Sequence, residues 1–528
     1  MQKNVIKCNL NLDKTEKIFY IITNNMVATI FLDILFVLYV IAGIGLVLYG
    51  FNCYFSIFLF LKNSRANRKS DKENLELFLK NLDFDKLPKV TTQLPVFNEG
   101  TCVERLIESV CTMDYPKHLH EIQVLDDSTD DCIKISERKV AEMREKGYNI
   151  TLIHRTNRKD YKAGALKEGM EKCNGEFLAI FDADFVPGKN FLMHTVPFMV
   201  MDEKIGLVQG RWGHLNRGES GLTLAQSIGI DGHFVIEQSA RSWGGLFMNF
   251  NGTAGIWRRK AIDDAGGWEG DTLTEDMDLS YRSQLAGWKM KFVFDVIVPA
   301  ELPADINAFK SQQYRWAKGS IQTAIKDLPR VFASKESLKV KFQSFMHTTH
   351  YSIHPLMLFT ALSAFPLLAF GHSKFGNIPM WVFSALFVTI ALAAVAPSTL
   401  YFVAQKFSGS IGWRKRMAAL PLLMSLGVGI AVSNTCAVLS AIFGRKSPFI
   451  RTPKQGGAVR IKKFRQKFPK IALVELFAGV YCIFGLLEYI DARVFLIGPF
   501  LALYAVGFLA VGVLSVLHYM SNISGESS

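Results

Sequence analysis

At 528 residues, 49% apolar and 20% charged, with mean hydropathy +0.18, the chain is too hydrophobic for one soluble domain and too polar for a pure membrane bundle, so two regimes must alternate. The 60 basic and 47 acidic residues leave a formal charge of +13, and the basic residues crowd the ends of apolar blocks without interleaved aromatics. That pattern reads as membrane orientation and excludes a nucleic-acid-reading surface. The eight cysteines show no CxxC or Cys/His metal spacing and read as reduced thiols.

After a tail (1–25), residues 26–61 form an apolar run broken only by Asp33 and small polar residues. As a helix it is longer than the roughly 30 Å hydrocarbon core, so one tilted span entering the interface is expected, with two short spans as the alternative. It is too long for a cleavable signal peptide. Lys62, Arg65, Arg68, Lys69 and Lys72 open a basic linker (62–88) that places the next segment on the cytoplasmic side. From 89 to 327 short apolar strands alternate with amphipathic helices. Strands are expected at 121–125, 149–154 and 176–181 and a helix at 134–146, giving a largely parallel sheet with ligands outside its carboxyl ends. Asp126-Asp127 and Asp182-Ala183-Asp184 fall at such ends.

An interfacial linker (328–344) leads to two expected spans within 345–404, and two more occupy 471–519 before a short tail (520–528). The apolar block 417–443 is flanked on both sides by basic residues, Arg414-Lys415-Arg416 and Arg445-Lys446 with Arg451 and Lys454. A single crossing cannot be positive-inside at both ends, so 405–470 is expected to be a re-entrant or interfacial segment.

Chemistry concentrates in a series of short motifs: Asp126-Asp127, Asp182-Ala183-Asp184, Thr274-Glu275-Asp276 and Gln312-Gln313-Tyr314-Arg315-Trp316. Each has a bland reading by itself. A lone Asp-x-Asp is commonly a solvated turn; Asp126 to Asp130 suits an Asx-turn or helix cap; Trp316 near a membrane suits an interfacial anchor. In this order, however, the motifs resemble the D, DxD, TED, QxxRW set of processive family-2 glycosyltransferases, which includes cellulose, chitin, hyaluronan and mannan synthases. The stretches 123–130, 161–170, 250–257 and 265–268 are similar to the plant cellulose-synthase-like A proteins, which are β-1,4-mannan and glucomannan synthases, and to their bacterial relatives. The likeness covers about 89–318.

The resemblance implies an α/β GT-A (Rossmann-like) cytoplasmic domain embedded in a transmembrane helical bundle of a multi-pass protein. It implies inverting transfer of hexose from GDP-mannose or UDP-glucose to the non-reducing end of a growing β-linked polysaccharide, followed by export. Such transfer needs a stabilised diphosphate leaving group and a base for the acceptor hydroxyl. By resemblance Asp276 is the base and Asp184 the ligand of Mg²⁺ or Mn²⁺. Asn98, Glu99, Asp126, Asp127, Lys162, Asp182, Gln312 and Arg315 would hold the donor, and Trp316 and Asn251 the acceptor. Phe449, Thr452 and Lys454 resemble the gating loop of bacterial cellulose synthase, with Arg451 where that loop has Val. No cyclic-dinucleotide module is expected after the last span. Expected partners are the nucleotide sugar, the polysaccharide and membrane lipids, with no nucleic acid. Two alternatives stand: a single-transfer lipid glycosyltransferase resembling ceramide glucosyltransferase, and a non-catalytic membrane subunit. Intact Asp126, Asp184, Asp276 and Arg315 argue against the second.

Overall fold

The computed structural model describes residues 14–370, 380–445, 468–492 and 498–524. A seven-stranded sheet forms the centre of the polar part, in the order β3-β2-β1-β4-β6-β5-β7. The strands are β1 (Val90–Val96), β2 (His120–Asp126), β3 (Ile150–His154), β4 (Phe177–Ile180), β5 (Ile205–His214), β6 (Gly255–Arg258) and β7 (Lys289–Ala300). Pairing is parallel except at β6, which runs antiparallel to both β4 and β5. The sheet is therefore largely parallel, as expected, and mixed through β6 alone. Reversal brings the start of β6 to the carboxyl end of β4, where Ala254 N donates to Ile180 O (2.9 Å) and Asp182 N to Thr253 Oγ1 (2.9 Å).

Side chains alternate along each strand, and both faces of the sheet are covered. In β4, Phe177 and Ala179 enter one apolar core while Leu178 and Ile180 enter the other. A third core joins the sheet to the apolar helices: Phe60, Phe234, Phe292, Phe294, Leu400 and Ala404 pack together there.

The first helix, Lys14–Lys80, is continuous, so the basic stretch expected to be a linker is helical as far as Lys80. Residues 51–80 contain neither Gly nor Pro, and Lys69–Glu73 and Lys72–Glu76 sit at i,i+4 spacing. Its polar end docks on β7 through Lys291–Asp71 (2.6 Å) and Arg68–Asp295 (2.8 Å). The expected linker at 328–344 is also largely helical. Ile306–Ala333 runs through Pro329, and Ser337 caps a separate helix, Leu338–Thr348, by accepting from Val340 N (3.3 Å). The apolar helix that follows thus begins near His350 rather than 345.

Among the described residues five helices are long and apolar enough to cross a membrane: within Met26–Lys80, and His350–Phe370, Ser384–Phe407, Lys470–Tyr489 and Gly498–Ser521. The block at 417–443 falls in a broken pair, Trp413–Gly429 and Ala431–Ile442, with a 42° bend; Leu420–Gly429 is the α-helical part of its first arm. Gly429 lies at the break, where an added Cβ would meet Gly507 O, so the absence of a side chain lets Leu420–Gly429 touch the Gly498–Ser524 helix.

Candidate active site

A cavity of about 230 Å³ opens at the carboxyl ends of β1, β2 and β4 and is closed on the far side by the Ile306–Ala333 helix. Phe97 and Glu99, after β1, line it. Asn98, held at φ 55°, staples two loops: its Oδ1 accepts from Thr129 N (2.8 Å) and its N donates to Ser128 Oγ (2.8 Å). After β2, adjacent aspartates diverge because successive strand residues face opposite ways. Asp127 lines the cavity, gripped by Arg155 through Nε (2.8 Å) and Nη2 (2.5 Å). Asp126 is fully buried; its Oδ1 accepts from Ser128 N (2.7 Å) and its Oδ2 from Ser136 Oγ (2.6 Å). Of the two aspartates expected at the donor, Asp127 lines the cavity, whereas Asp126 does not and both of its oxygens shape the turn.

Lys162 leads into the next wall. Its Nζ donates to Asp182 and to Gly252 O (2.8 Å). Burial lowers its proton affinity, but the Asp182, Glu275 and Asp276 charges outweigh that and hold it protonated above the ordinary lysine value. Asp182 and Asp184 both line the cavity, and Val186 N donating to Pro299 O (2.9 Å) places their turn beside Glu301. Glu301 is paired with Arg105 (2.8 Å).

Asp276 sits in the first turn of the Glu275–Leu285 helix, and its Oδ1 accepts from Met277 N (2.8 Å). Burial and then the Glu275 charge push its carboxyl well above the usual carboxylate range, against the pull of Lys162 and the Met277 N–H. Gly252, at φ +79°, makes room: a Cβ there would lie 3.0 Å from Asp276 Oδ2.

Gln312, Arg315 and Trp316 share one face of the Ile306–Ala333 helix and line the opposite wall. Burial lowers the Arg315 guanidinium to about 10, opposed by Asp182, Glu275 and Glu99, so it stays charged at neutral pH. The Trp316 ring lies 6.5 Å from that of Trp212, which stacks on Phe234 at 4.9 Å. Asn251 also lines the cavity; its Oδ1 accepts from Gln238 Nε2 (2.6 Å) and its Nδ2 faces His233 Nε2 (3.1 Å). Phe449, Thr452 and Lys454 lie outside the described residues.

The same helix touches the loop carrying Asp276. Gln322 Oε1 accepts from Leu273 N (3.0 Å), and the Thr274 and Thr323 hydroxyls are 3.2 Å apart. At Gly319 an added Cβ would meet Thr274 Cγ2 at 2.5 Å and Thr274 N at 2.9 Å. Gly319→Ala is expected to separate these elements, costing about 1–3 kcal/mol of stability and up to roughly a hundredfold in turnover. Thermal unfolding and steady-state rates check this, with Gly218→Ala, where nothing lies within 4 Å, as control.

The lining suits a hard divalent cation by donor type: Glu99, Asp182, Asp184 and Glu301 offer carboxylate oxygens, and the lining imidazole, His214, is tied to Asp231 at 3.0 Å. Among the described residues the one carboxylate group close enough to hold an ion by itself is Glu269, Asp271 and Asp278, and the Lys326 ammonium fills it at 2.5, 2.8 and 2.8 Å. An ion at Asp184 would need phosphate oxygens to complete its shell, as Mg²⁺ commonly does.

Comparison with known proteins agrees with this geometry. Residues 88–319 match the family described as "Glycosyltransferase like family 2". Glucomannan 4-beta-mannosyltransferase 7 of Arabidopsis thaliana is 33% identical over 456 residues, 80% of this chain and 77% of that relative. The chain belongs to glycosyltransferase family 2. Within family 2 it is also similar to probable glucomannan 4-beta-mannosyltransferase 11 of Oryza sativa subsp. japonica (40% over 331 residues; 60% of this chain, 57% of that protein). Glucomannan 4-beta-mannosyltransferase 1 of Cyamopsis tetragonoloba is 43% identical over 269 residues (50% and 51%). The chain thus spans about half the length of these last two relatives. In structure it shares a fold with the mannosyltransferase PcManGT from Pyrobaculum calidifontis, solved with GDP-Man and Mn2+, at TM-score 0.50 and 18% identity, covering 78% of this chain and 100% of that one.

The family motifs account for most of the cavity's acids, Glu301 excepted, but not for all the residues that line or brace it. Arg155, Trp212, Glu301 and Lys326 carry no signal in the sequence beyond their type, because each acts through a partner distant along the chain.

Proposed function

We propose that this family-2 protein is a membrane-embedded inverting hexosyltransferase that extends a β-linked polysaccharide at its non-reducing end from a nucleotide sugar, with GDP-mannose as first candidate and UDP-glucose as second. The observation that carries the reading is the convergence of Asp182, Asp184, Asp276, Arg315 and Trp316 on one cavity. The glucomannan mannosyltransferase relatives and the GDP-Man complex of the structural neighbour support the mannosyl donor.

In this mechanism the donor's base lies toward Phe97 and Asp127, and its diphosphate lies between Lys162 and Arg315, whose planar fork suits phosphate oxygens. Mg²⁺ or Mn²⁺ held by Asp184, when bound, supplies charge neutralisation for the diphosphate. The acceptor hydroxyl attacks the anomeric carbon opposite the leaving group; the new C–O bond forms as the carbon–phosphate oxygen bond breaks, and Asp276 takes the hydroxyl proton. Burial and the neighbouring Glu275 charge raise the basicity of Asp276, and the Met277 N–H holds the carboxylate in one orientation. Trp316 and Trp212 supply flat faces for the acceptor sugar. The catalytic part lies on the cytoplasmic side of several spans, which form the route of export.

The test is a screen of labelled GDP-mannose and UDP-glucose on purified protein, with linkage analysis of the product. A ladder of β-linked chains is expected; a monoglycosylated lipid alone, even at high donor, would replace this reading. Trp316→Ala addresses processivity. An aromatic face worth about 0.5–1.5 kcal/mol holds the chain end, so its loss should speed release by roughly two- to tenfold. Mean product length should fall by the same factor while donor hydrolysis persists. An unchanged length distribution would remove Trp316 from the acceptor site.

A further inference from the structure

The pentad Gln312–Trp316 is bracketed by two buried lysines: Lys310, two residues before it, is 6% exposed, and Lys318, two residues after it, is 1% exposed. Each reaches out of the catalytic part into the apolar helices. Lys310 Nζ donates to Glu475 Oε2 (2.7 Å) and Ser515 Oγ (3.2 Å), and Lys318 Nζ donates to the Arg445 carbonyl. Glu475 is fully buried on Lys470–Ala492, Ser515 lies on Gly498–Ser524, and Arg445 follows Ala431–Ile442. Three separate elements of the bundle therefore grip one helix on either side of its cavity-lining residues. Next to Lys310, Asn307 Nδ2 donates to Ser515 O (3.1 Å) and Ile306 N to His518 Nδ1 (3.1 Å).

The two faces of this helix do different work. Gln312, Arg315, Trp316, Gly319 and Thr323 face the cavity and the Asp276 loop. Lys310, Ala317, Ile321 and Leu328, on the other side, are buried. A buried ion pair is a poor way to secure that second face, since apolar side chains of similar volume hold a helix as well or better. What the pair adds is register. Apolar ridges can settle into neighbouring grooves, whereas one ammonium among apolar residues meets one carboxylate at a single offset. A slip of one residue would move Arg315 and Trp316 by about 1.5 Å along the axis and about 100° around it.

We propose that Lys310, Lys318 and Glu475 are positioning residues for the transfer reaction, pinning Arg315 and Trp316 at a fixed register against the apolar bundle. This rests on the hexosyltransferase reading above. The test compares wild type with the apolar double variant Lys310→Met/Glu475→Leu and the charge-swapped Lys310→Glu/Glu475→Lys. Thermal stability, donor KM, transfer kcat and product length are read for each. The register is read independently of activity, from the distance between spin labels at Ile325→Cys and Phe477→Cys in a background without accessible cysteines. The apolar variant is expected to keep its stability and donor KM, to broaden the label distance, and to lose on the order of a hundredfold in kcat for a displacement of about 1 Å. The swapped pair is expected to recover most of both. If the apolar variant does not assemble, Glu475→Gln, which keeps the shape and loses the charge, carries the same comparison. A narrow, unshifted distance with wild-type kcat and product length in a folded variant overturns the proposal. Absence of transfer in the wild type with every nucleotide sugar overturns the functional reading instead, and the label distances still decide the pinning.

Discussion

Asp276→Asn is expected to lower transfer by about 10²–10⁴-fold, the usual worth of a positioned base, with donor KM unchanged. The substitution keeps the side-chain shape and the oxygen that accepts from Met277 N, so the first turn of the Glu275–Leu285 helix keeps its bond. What is lost is the ability to take a proton. The amide also removes the charge beside Lys162, whose direct partners are Asp182 and Gly252 O, so the donor-side pairing survives. The pH profile gives a second check. Because burial and Glu275 raise the Asp276 carboxyl, its basic form is present above the raised value and lost as pH falls through it. The acid limb of kcat/KM should therefore lie well above the ordinary aspartate value of about 3.9, and residual activity of the Asn variant should lack that limb. A rise in donor KM with an unchanged limb would assign Asp276 to binding instead.

Where sequence reasoning reached the site, it did so through apolar runs that stop at acids. The strands expected at 121–125, 149–154 and 176–181 correspond to β2, β3 and β4 because alternation and burial on both faces leave a clear hydrophobic signature. The same signature cannot decide which of two adjacent aspartates faces a ligand. Asp126 and Asp127 differ only in the pleat, and Ser136, ten residues on, is what captures Asp126. The reversal of β6 was hidden for a similar reason. A four-residue strand has no direction in its composition, and its orientation is set by pairing with β4 and β5. At 62–80 charge suggested a linker, yet strong helix formers and i,i+4 pairs carry the first helix through Lys80. Long-range electrostatics was the least legible. Lys326 looks like a surface lysine until Glu269, Asp271 and Asp278 are seen around it.

Asp184→Ala is expected to lose on the order of 10²–10⁴-fold in turnover, since neutralising a diphosphate is worth several kcal/mol and each 1.4 kcal/mol is tenfold. The neighbouring aspartate is a poor substitute, because Asp182 is already engaged by the Lys162 ammonium. Glu301 is a poor one as well, because Arg105 holds it at 2.8 Å. Neither of these two neighbours is therefore spare in the Ala variant, and a methyl group leaves no oxygen to meet a hard cation. Wild-type activity should disappear with a chelator and return with Mg²⁺ or Mn²⁺, whereas the Ala variant should gain little from added metal. Asp271→Ala provides the contrast. Its carboxylate belongs to the cluster occupied by Lys326, so the metal dependence of turnover should be unchanged even if stability falls. Activity indifferent to chelators in the wild type would overturn the assignment of Asp184 to a metal and leave charge neutralisation to Lys162 and Arg315 alone.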